Sequence, residues 1–152
     1  MPPLEELLHL GYLSDQYGVD DVTRQILACE EFSEIICFDQ DTMIITQGST
    51  PDALYFTLDG IFHAISHANP NAPHRLLGRI QPGQFIGELS LVAPTSKASA
   101  SVKAIRNAMA LKMPAGNFKA MRTAHPEATI QFLLAISKQL ADRLRSANER
   151  VL

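Results

Sequence analysis

From Ile35 onward the chain breaks into short apolar runs separated by turn residues, and this rhythm constrains the fold more than any other feature. Ile35-Ile36-Cys37-Phe38, Thr42-Met43-Ile44-Ile45-Thr46, Ala53-Leu54-Tyr55-Phe56-Thr57-Leu58 and Ile61-Phe62-His63-Ala64-Ile65-Ser66 follow one another closely. His74 to Ile80, Ser99 to Lys103 and Ala108 to Met113 continue the series. Gln47-Gly48, Asp59-Gly60, Asn69-Pro70-Asn71-Ala72-Pro73 and Gln81-Pro82-Gly83 separate the runs. Short β-like runs with turn signals about every 8–12 residues indicate an all-β sandwich or barrel. Asp59-Gly60, lying between two such runs, reads as the turn of a hairpin, and the Asn/Pro cluster as a longer turn.

Helical patterns flank the strands. Leu4, Leu7, Leu8 and Tyr12 fall near a helical period, and Asp20-Asp21 can cap a second helix through Val22, Ile26 and Leu27. After Pro114, Ala115-Gly116-Asn117-Phe118 open a short helix that His125-Pro126 stops, and a long helix follows from Glu127 to about Val151. In it Leu133, Ile136, Leu140, Leu144, Ala147 and Val151 recur at spacings of three and four. A helix of this length spans about 36 Å at 1.5 Å per residue, more than a small barrel covers. The stripe is therefore expected to form the seam of a homodimer. The 152 residues read as a single domain, with N-terminal helices over about 1–30, a barrel over about 33–114 and C-terminal helices over about 115–151.

Composition narrows the function classes. With 46% hydrophobic and 19% charged residues the chain can fill a core, which excludes intrinsic disorder as its main state. No run approaches the ~18 apolar residues of a membrane-spanning helix, and Met1-Pro2-Pro3-Leu4-Glu5-Glu6 lacks the basic-then-apolar pattern of a secretion signal. A cytoplasmic location without membrane association is expected. Cys29 and Cys37, each among apolar neighbours, are expected to fill core rather than carry redox chemistry.

The net charge of −3 hides an asymmetry. Residues 1–60 carry twelve acids against the single cation Arg24, whereas residues 61–152 carry twelve cations against Glu88, Glu127, Asp142 and Glu149. No acid falls between Glu88 and Glu127, a stretch holding Lys97, Lys103, Arg106, Lys112, Lys119 and Arg122. Two readings follow: the halves neutralise each other across the fold, or the basic stretch provides a local field for an anion.

One segment, Gln84 to Val102, stands apart. Gly87-Glu88-Leu89-Ser90-Leu91 can open a short helix that Pro94 stops. Backbone N–H groups at a helix start attract an anion, and Gly87 permits close approach. Glu88, an isolated acid in basic surroundings, suits hydrogen bonds from hydroxyls, and the small residues Ala98, Ser99, Ala100 and Ser101 leave room for a ligand. These residues describe a pocket for an anion that carries hydroxyls.

Phe85-Ile86-Gly87-Glu88-Leu89-Ser90-Leu91 together with Ser99-Ala100-Ser101-Val102-Lys103-Ala104 resembles the phosphate-binding cassette of cyclic-nucleotide-binding domains. That family includes the catabolite activator protein and the regulatory subunit of cAMP-dependent kinase. Thr46 to Gly60 is similar to the family's strand–turn–strand, and His125-Pro126-Glu127 before a long helix also fits, so the resemblance covers about residues 24–145. It implies a mainly β fold, a jelly-roll-like (double-stranded β-helix) barrel with N-terminal helices and a long C-terminal helix. It further implies a regulatory cAMP or cGMP sensor with ligand-binding residues Gly87, Glu88, Leu89, Ser90, Lys97, Ala98, Ser99 and Ala100. Glu88 would take the ribose 2′-hydroxyl, and the base would face Gln139, Asp142, Arg143 and Ser146. The family's phosphate-gripping Arg is missing: its place falls on Ala98, or on Lys97 if the loop is shorter. Without that bidentate fork, weak binding is expected.

The alternative is a degenerate member that binds no ligand and serves as a dimerisation or protein-interaction module. A cupin-type metal site at His63, His67 and His74 is disfavoured because the closely spaced His-x-His and partner Glu are absent. No catalytic triad, P-loop or carboxylate pair appears, so neither an enzyme nor a resident cofactor is expected. Phe118 is the one aromatic in the basic stretch and no helix-turn-helix pattern follows it, so this chain is not expected to bind DNA directly. The expected partners are a cyclic nucleotide, a second copy of the chain and a downstream protein of unknown identity.

Overall fold

The computed structural model describes residues 18–67 and 71–151. The helical pattern at Leu4, Leu7, Leu8 and Tyr12, and the Asn69-Pro70 part of the expected turn, lie outside the described residues. In chain order the elements are α1 (Asp21–Leu27), β1 (Glu34–Phe38), β2 (Met43–Ile45), β3 (Ala53–Asp59), β4 (Phe62–Ser66), β5 (Arg75–Ile80) and β6 (Phe85–Ile86). There follow α2 (Leu89–Val92), β7 (Ser101–Ala104), β8 (Ala108–Pro114), α3 (Ala115–Ala124) and α4 (Pro126–Val151).

The strands make two antiparallel four-stranded sheets, ordered β1-β8-β3-β6 and β2-β7-β4-β5. The sheets share no strand and are not closed on each other, and the mainly β architecture expected from the sequence is present. Among the described residues, consecutive strands change sheet except at β4–β5, which form a hairpin with Phe62 paired to Ile80 and Ser66 to Arg75. The Asp59-Gly60 hairpin expectation fails for a physical reason. β3 already has β8 on one edge and β6 on the other, which leaves no edge for β4. The turn is instead a corner between sheets, taken at Gly60 with φ +84°. A Cβ there would lie 2.6 Å from Ala108 Cβ and 2.8 Å from Asn107 O, so the corner requires glycine.

Two apolar layers result, and β3 contributes to both. Leu54, Phe56 and Leu58 face a core shared with Leu27 and Phe32, with Phe118 and Met121 of α3, and with Phe132, Ala135 and Ile136 of α4. Tyr55 points the other way, toward a layer between the sheets built on Ile45, Phe62, Ile80, Ile86, Val102 and Ala104. A strand buried on both faces explains why Ala53 to Leu58 reads as a continuous apolar run instead of alternating. At α1, Asp20 caps the helix by accepting the Thr23 N–H at 2.8 Å, and that bond, more than any other interaction, lowers its carboxyl pKa.

Three further expectations are settled here. Cys29 and Cys37 are exposed, not core: Cys29 follows α1 in a turn, and Cys37 lies on the edge strand β1, where one side goes uncovered. Ile136 leaves the expected seam for the core, at 4% exposure. The opposite side of α4 keeps Ile130, Leu134 and Leu144 at 59–63% exposure and Leu140 at 37%. The charge asymmetry is partly neutralised between strands, since Glu34 of β1 sits opposite Lys112 of β8 and Lys103 Nζ lies 3.5 Å from Asp41.

Candidate ligand pocket

The segment that carries the candidate site is held by a buried threonine. Thr57 Oγ1 donates to Gln81 O at 2.7 Å and accepts the Gln84 N–H at 3.0 Å, clamping the turn that leads into β6. Phe85 and Ile86 are buried and pair with Phe56 and Tyr55, so the next residue emerges at the sheet edge. Gly87 then reverses the chain at φ +79°, where a Cβ would meet Ala53 O at 2.6 Å. No other residue fits this turn without moving β3. Glu88 follows as the N-cap of α2, and its side chain makes no capping hydrogen bond. Ser90 Oγ donates to Gly87 O at 2.7 Å, so that hydroxyl supports the turn from behind.

The facing wall is held just as firmly. The Ala98 N–H donates to Ser49 O at 2.7 Å, and Ala98 O accepts the Gly48 N–H at 2.8 Å. Ser101 Oγ accepts the Gln47 N–H at 2.8 Å. This double tie sets the register: Ala98 is 8% exposed and faces inward, while Lys97 is exposed. Shifting the loop by one residue to bring Lys97 inward would break both Ala98 bonds, at about 0.5–1.5 kcal/mol each.

Between these walls lies a cavity of about 160 Å³ that brings together Gly87, Glu88, Leu89, Ala98, Ser99 and Ala100. Ser90 and Lys97, the other two candidates, are not part of its lining. Ile45, Ala64, Ile80 and Val102 supply an apolar floor, and Arg143 reaches in from α4. Among the described residues, the backbone N–H groups of Leu89, Ser99 and Ala100 donate to no protein acceptor. The cavity thus combines amides, one carboxylate and one guanidinium over an apolar base, an arrangement suited to a small ligand with an anionic group and hydroxyls.

Ala64, Ile80 and Arg143 also border a second cavity of about 600 Å³ between β5 and α4, lined further by Leu77, Arg79, Asp142 and Ser146. The four α4 residues expected to face a base behave differently from one another. Gln139 is buried and committed to the backbone, accepting the Phe85 N–H at 2.6 Å and donating to Gly83 O at 3.4 Å. It docks α4 on β6. Arg143 Nη2 donates to Phe85 O and, at 2.9 Å, to Gln139 Oε1, while Nη1 lies 4.0 Å from Glu88 Oε2. Asp142 pairs with Arg145 at 3.4 Å. The sequence placed Arg143 on a polar helix face but held no signal that it reaches Glu88, because that contact depends on how α4 docks.

His67 and His74 meet edge to face across the β4–β5 hairpin with ring centroids 3.8 Å apart, and neither lines this cavity. Among the described residues, no three His, Cys, Asp or Glu side chains gather as a metal site would require. No helix among them is long and apolar enough to cross a membrane.

Comparison with known proteins agrees with this geometry. The Pycsar effector protein PaPycTIR of Pseudomonas aeruginosa is 30% identical over 135 residues, which is 89% of this chain and 40% of that protein. The chain therefore spans less than half of this relative. A cyclic nucleotide-binding domain from Methylobacillus flagellatus superposes with a TM-score of 0.80 at 18% identity, covering 97% of this chain and 80% of that one. The regulatory domain of Toxoplasma gondii PKA, crystallised with cAMP, gives a TM-score of 0.68 at 23% identity over 90% of this chain and 49% of that one. At these identities the two structures establish the fold, the mainly β arrangement of two sheets with C-terminal helices. The family model of the cyclic nucleotide-binding domain matches residues 35–125, which include both walls of the cavity, and the chain belongs to that family.

Proposed function

We propose that this chain is a regulatory sensor module that binds a cyclic nucleotide, cAMP or cGMP, between α2 and the Ala98–Ala100 segment. One observation carries the reading: Gly87, Glu88, Ser99 and Ala100, separated in sequence, border the same cavity in a fold of this family. The cyclic phosphate would meet the amides near Gly87 and Ser99, and Glu88 would accept the ribose 2′-hydroxyl. The base would enter the larger cavity beside α4. Because a relative of this fold is crystallised with cAMP, that nucleotide is the first to test.

Binding by this module is weak in our reading. Of the two positions where the resemblance puts the family's phosphate-gripping Arg, Ala98 lines the cavity without a charge and Lys97 lies outside its lining. Residues 1–152 act as one module without catalysis or direct DNA contact, in the cytoplasm. It signals through a second copy bound along α4 and through a downstream protein.

The alternative, a lapsed pocket on a dimerisation module, draws on the same Ala98 and on the exposed Leu134, Leu140 and Leu144. Calorimetric titration of the protein with cAMP and cGMP separates the two. Saturable binding that Glu88→Ala weakens about tenfold, with little change in melting temperature, supports the sensor; a hydrogen bond to a charged group is worth about 1.5–3 kcal/mol. No heat with either nucleotide at millimolar concentration favours the lapsed pocket.

A further inference from the structure

We propose that the larger cavity selects guanine over adenine, with Arg79 of β5 and Asp142 of α4 as the selecting pair; this rests on the reading of the site as a cyclic-nucleotide pocket and names cGMP as its ligand. The two side chains border the cavity of about 600 Å³ from its opposite walls. Ala64 and Ile80 border both cavities, so a ligand whose phosphate and ribose fill the smaller one presents its base to the larger. Arg79 is exposed, and its guanidinium pairs with no acid among the described residues. Asp142 meets Arg145 at 3.4 Å on the same helix, a partly exposed pair of small worth. Each carboxylate oxygen has a second lone pair, so Asp142 can accept from a base without giving up Arg145. Gln139 and Arg143 of α4 are already engaged, the first with the Phe85 N–H and Gly83 O and the second with Phe85 O.

The chemistry of the pair is one-sided in opposite senses, because a guanidinium only donates hydrogen bonds and an ionised carboxylate only accepts them. Gln84, which also lines the cavity, carries a donor and an acceptor together and cannot choose between bases. Guanine matches the pair on two edges. Its O6 and N7 accept both arms of an arginine fork, and its N1–H and N2–H donate side by side to the two oxygens of a carboxylate. Adenine has a single donor group, N6–H₂, set between the acceptors N1 and N7, so it offers the carboxylate one hydrogen bond and the fork one. A donor-only wall facing an acceptor-only wall therefore holds guanine more tightly.

The test is calorimetric titration of wild type, Arg79→Gln, Asp142→Asn, the double variant and Arg145→Gln with cGMP, cAMP and cIMP, the last being cGMP without its 2-amino group. Wild type should bind cGMP about tenfold or more tighter than cAMP, with cIMP between them. Arg79→Gln should shrink the advantage of cGMP and cIMP over cAMP alike, whereas Asp142→Asn should bring cGMP down to cIMP. The double variant should bind cGMP and cAMP equally, and Arg145→Gln should leave their ratio within about twofold. Wild type that binds cAMP as tightly as cGMP, or a preference for cGMP that survives the double variant, would overturn the proposal while leaving the sensor reading intact. Wild type that binds no cyclic nucleotide would overturn both.

Discussion

Gly87→Ala is the substitution on which the geometry of the pocket makes its sharpest demand. Two costs add. A non-glycine residue in the left-handed region, here φ +79°, is worth about 1–2 kcal/mol. The new Cβ would also lie 2.6 Å from Ala53 O, and Ala53 is pinned in β3 opposite Pro114 of β8, so the contact can be relieved only by moving backbone. Strain of that kind costs about 1–3 kcal/mol, for a total of roughly 2–5 kcal/mol. In a chain of this size each kcal/mol lowers the melting temperature by about 2–4 °C. Gly48→Ala is the matched control: φ is +85°, yet a Cβ there meets nothing within 4 Å, so only the dihedral cost applies. The entropy that glycine adds to the unfolded chain is common to both variants and cancels in the comparison. Scanning calorimetry at one protein concentration should place Gly87→Ala several degrees below Gly48→Ala, and its nucleotide affinity should fall because Glu88 is displaced with the turn. Equal melting temperatures for the two variants would refute the reasoning, since the clash with Ala53 would then be absent in solution.

Ala98→Arg should tighten cAMP binding by roughly 30- to 1,000-fold in calorimetric titration, the worth of about 2–4 kcal/mol from a charged bidentate contact; an unchanged affinity would show that the phosphate anchor lies elsewhere. Leu140→Asp with Leu144→Asp should give soluble monomer by light scattering where wild type is dimeric, and a wild type that stays monomeric at high concentration would refute the seam. The Asp20 carboxyl sits below its ordinary 3.8 mainly because it accepts the Thr23 N–H, so its contribution to stability is present above about pH 4 and is lost as pH falls through the lower folded-state value. Asp20→Asn keeps a capping oxygen without the titration, and its melting temperature should therefore fall less steeply than that of wild type between about pH 5 and 2.

The strand series was legible because its signals are local. Among the described residues, seven of the eight strands appear as apolar runs bounded by turn residues, and β6 escaped because Phe85-Ile86 is too short to show a period. The cap at Asp20 and the break at His125-Pro126 were equally legible, since each acts within one turn of its own helix. The cassette could be read only through the resemblance of Phe85 to Leu91 together with Ser99 to Ala104, within which Gly87 sits where a Cβ would meet Ala53 O.

What lay beyond the sequence was which elements meet. Asp59-Gly60 announces a turn, but whether that turn joins two strands of one sheet or switches between sheets depends on whether β3 has a free edge, which β8 and β6 decide from far along the chain. Cys37 and Ile136 have similar apolar neighbours in sequence, yet one lies on an exposed edge strand and the other in the core. The docking of α4 through Gln139 places Arg143 beside Glu88, 55 residues away in the chain, and no local pattern encodes that approach. Local sequence determined where strands, helices and the pocket turn form, because those choices rest on the conformational preferences of a few neighbouring residues. Tertiary packing decided the partners of each edge and face, because burial and hydrogen-bond pairing are settled between segments distant along the chain.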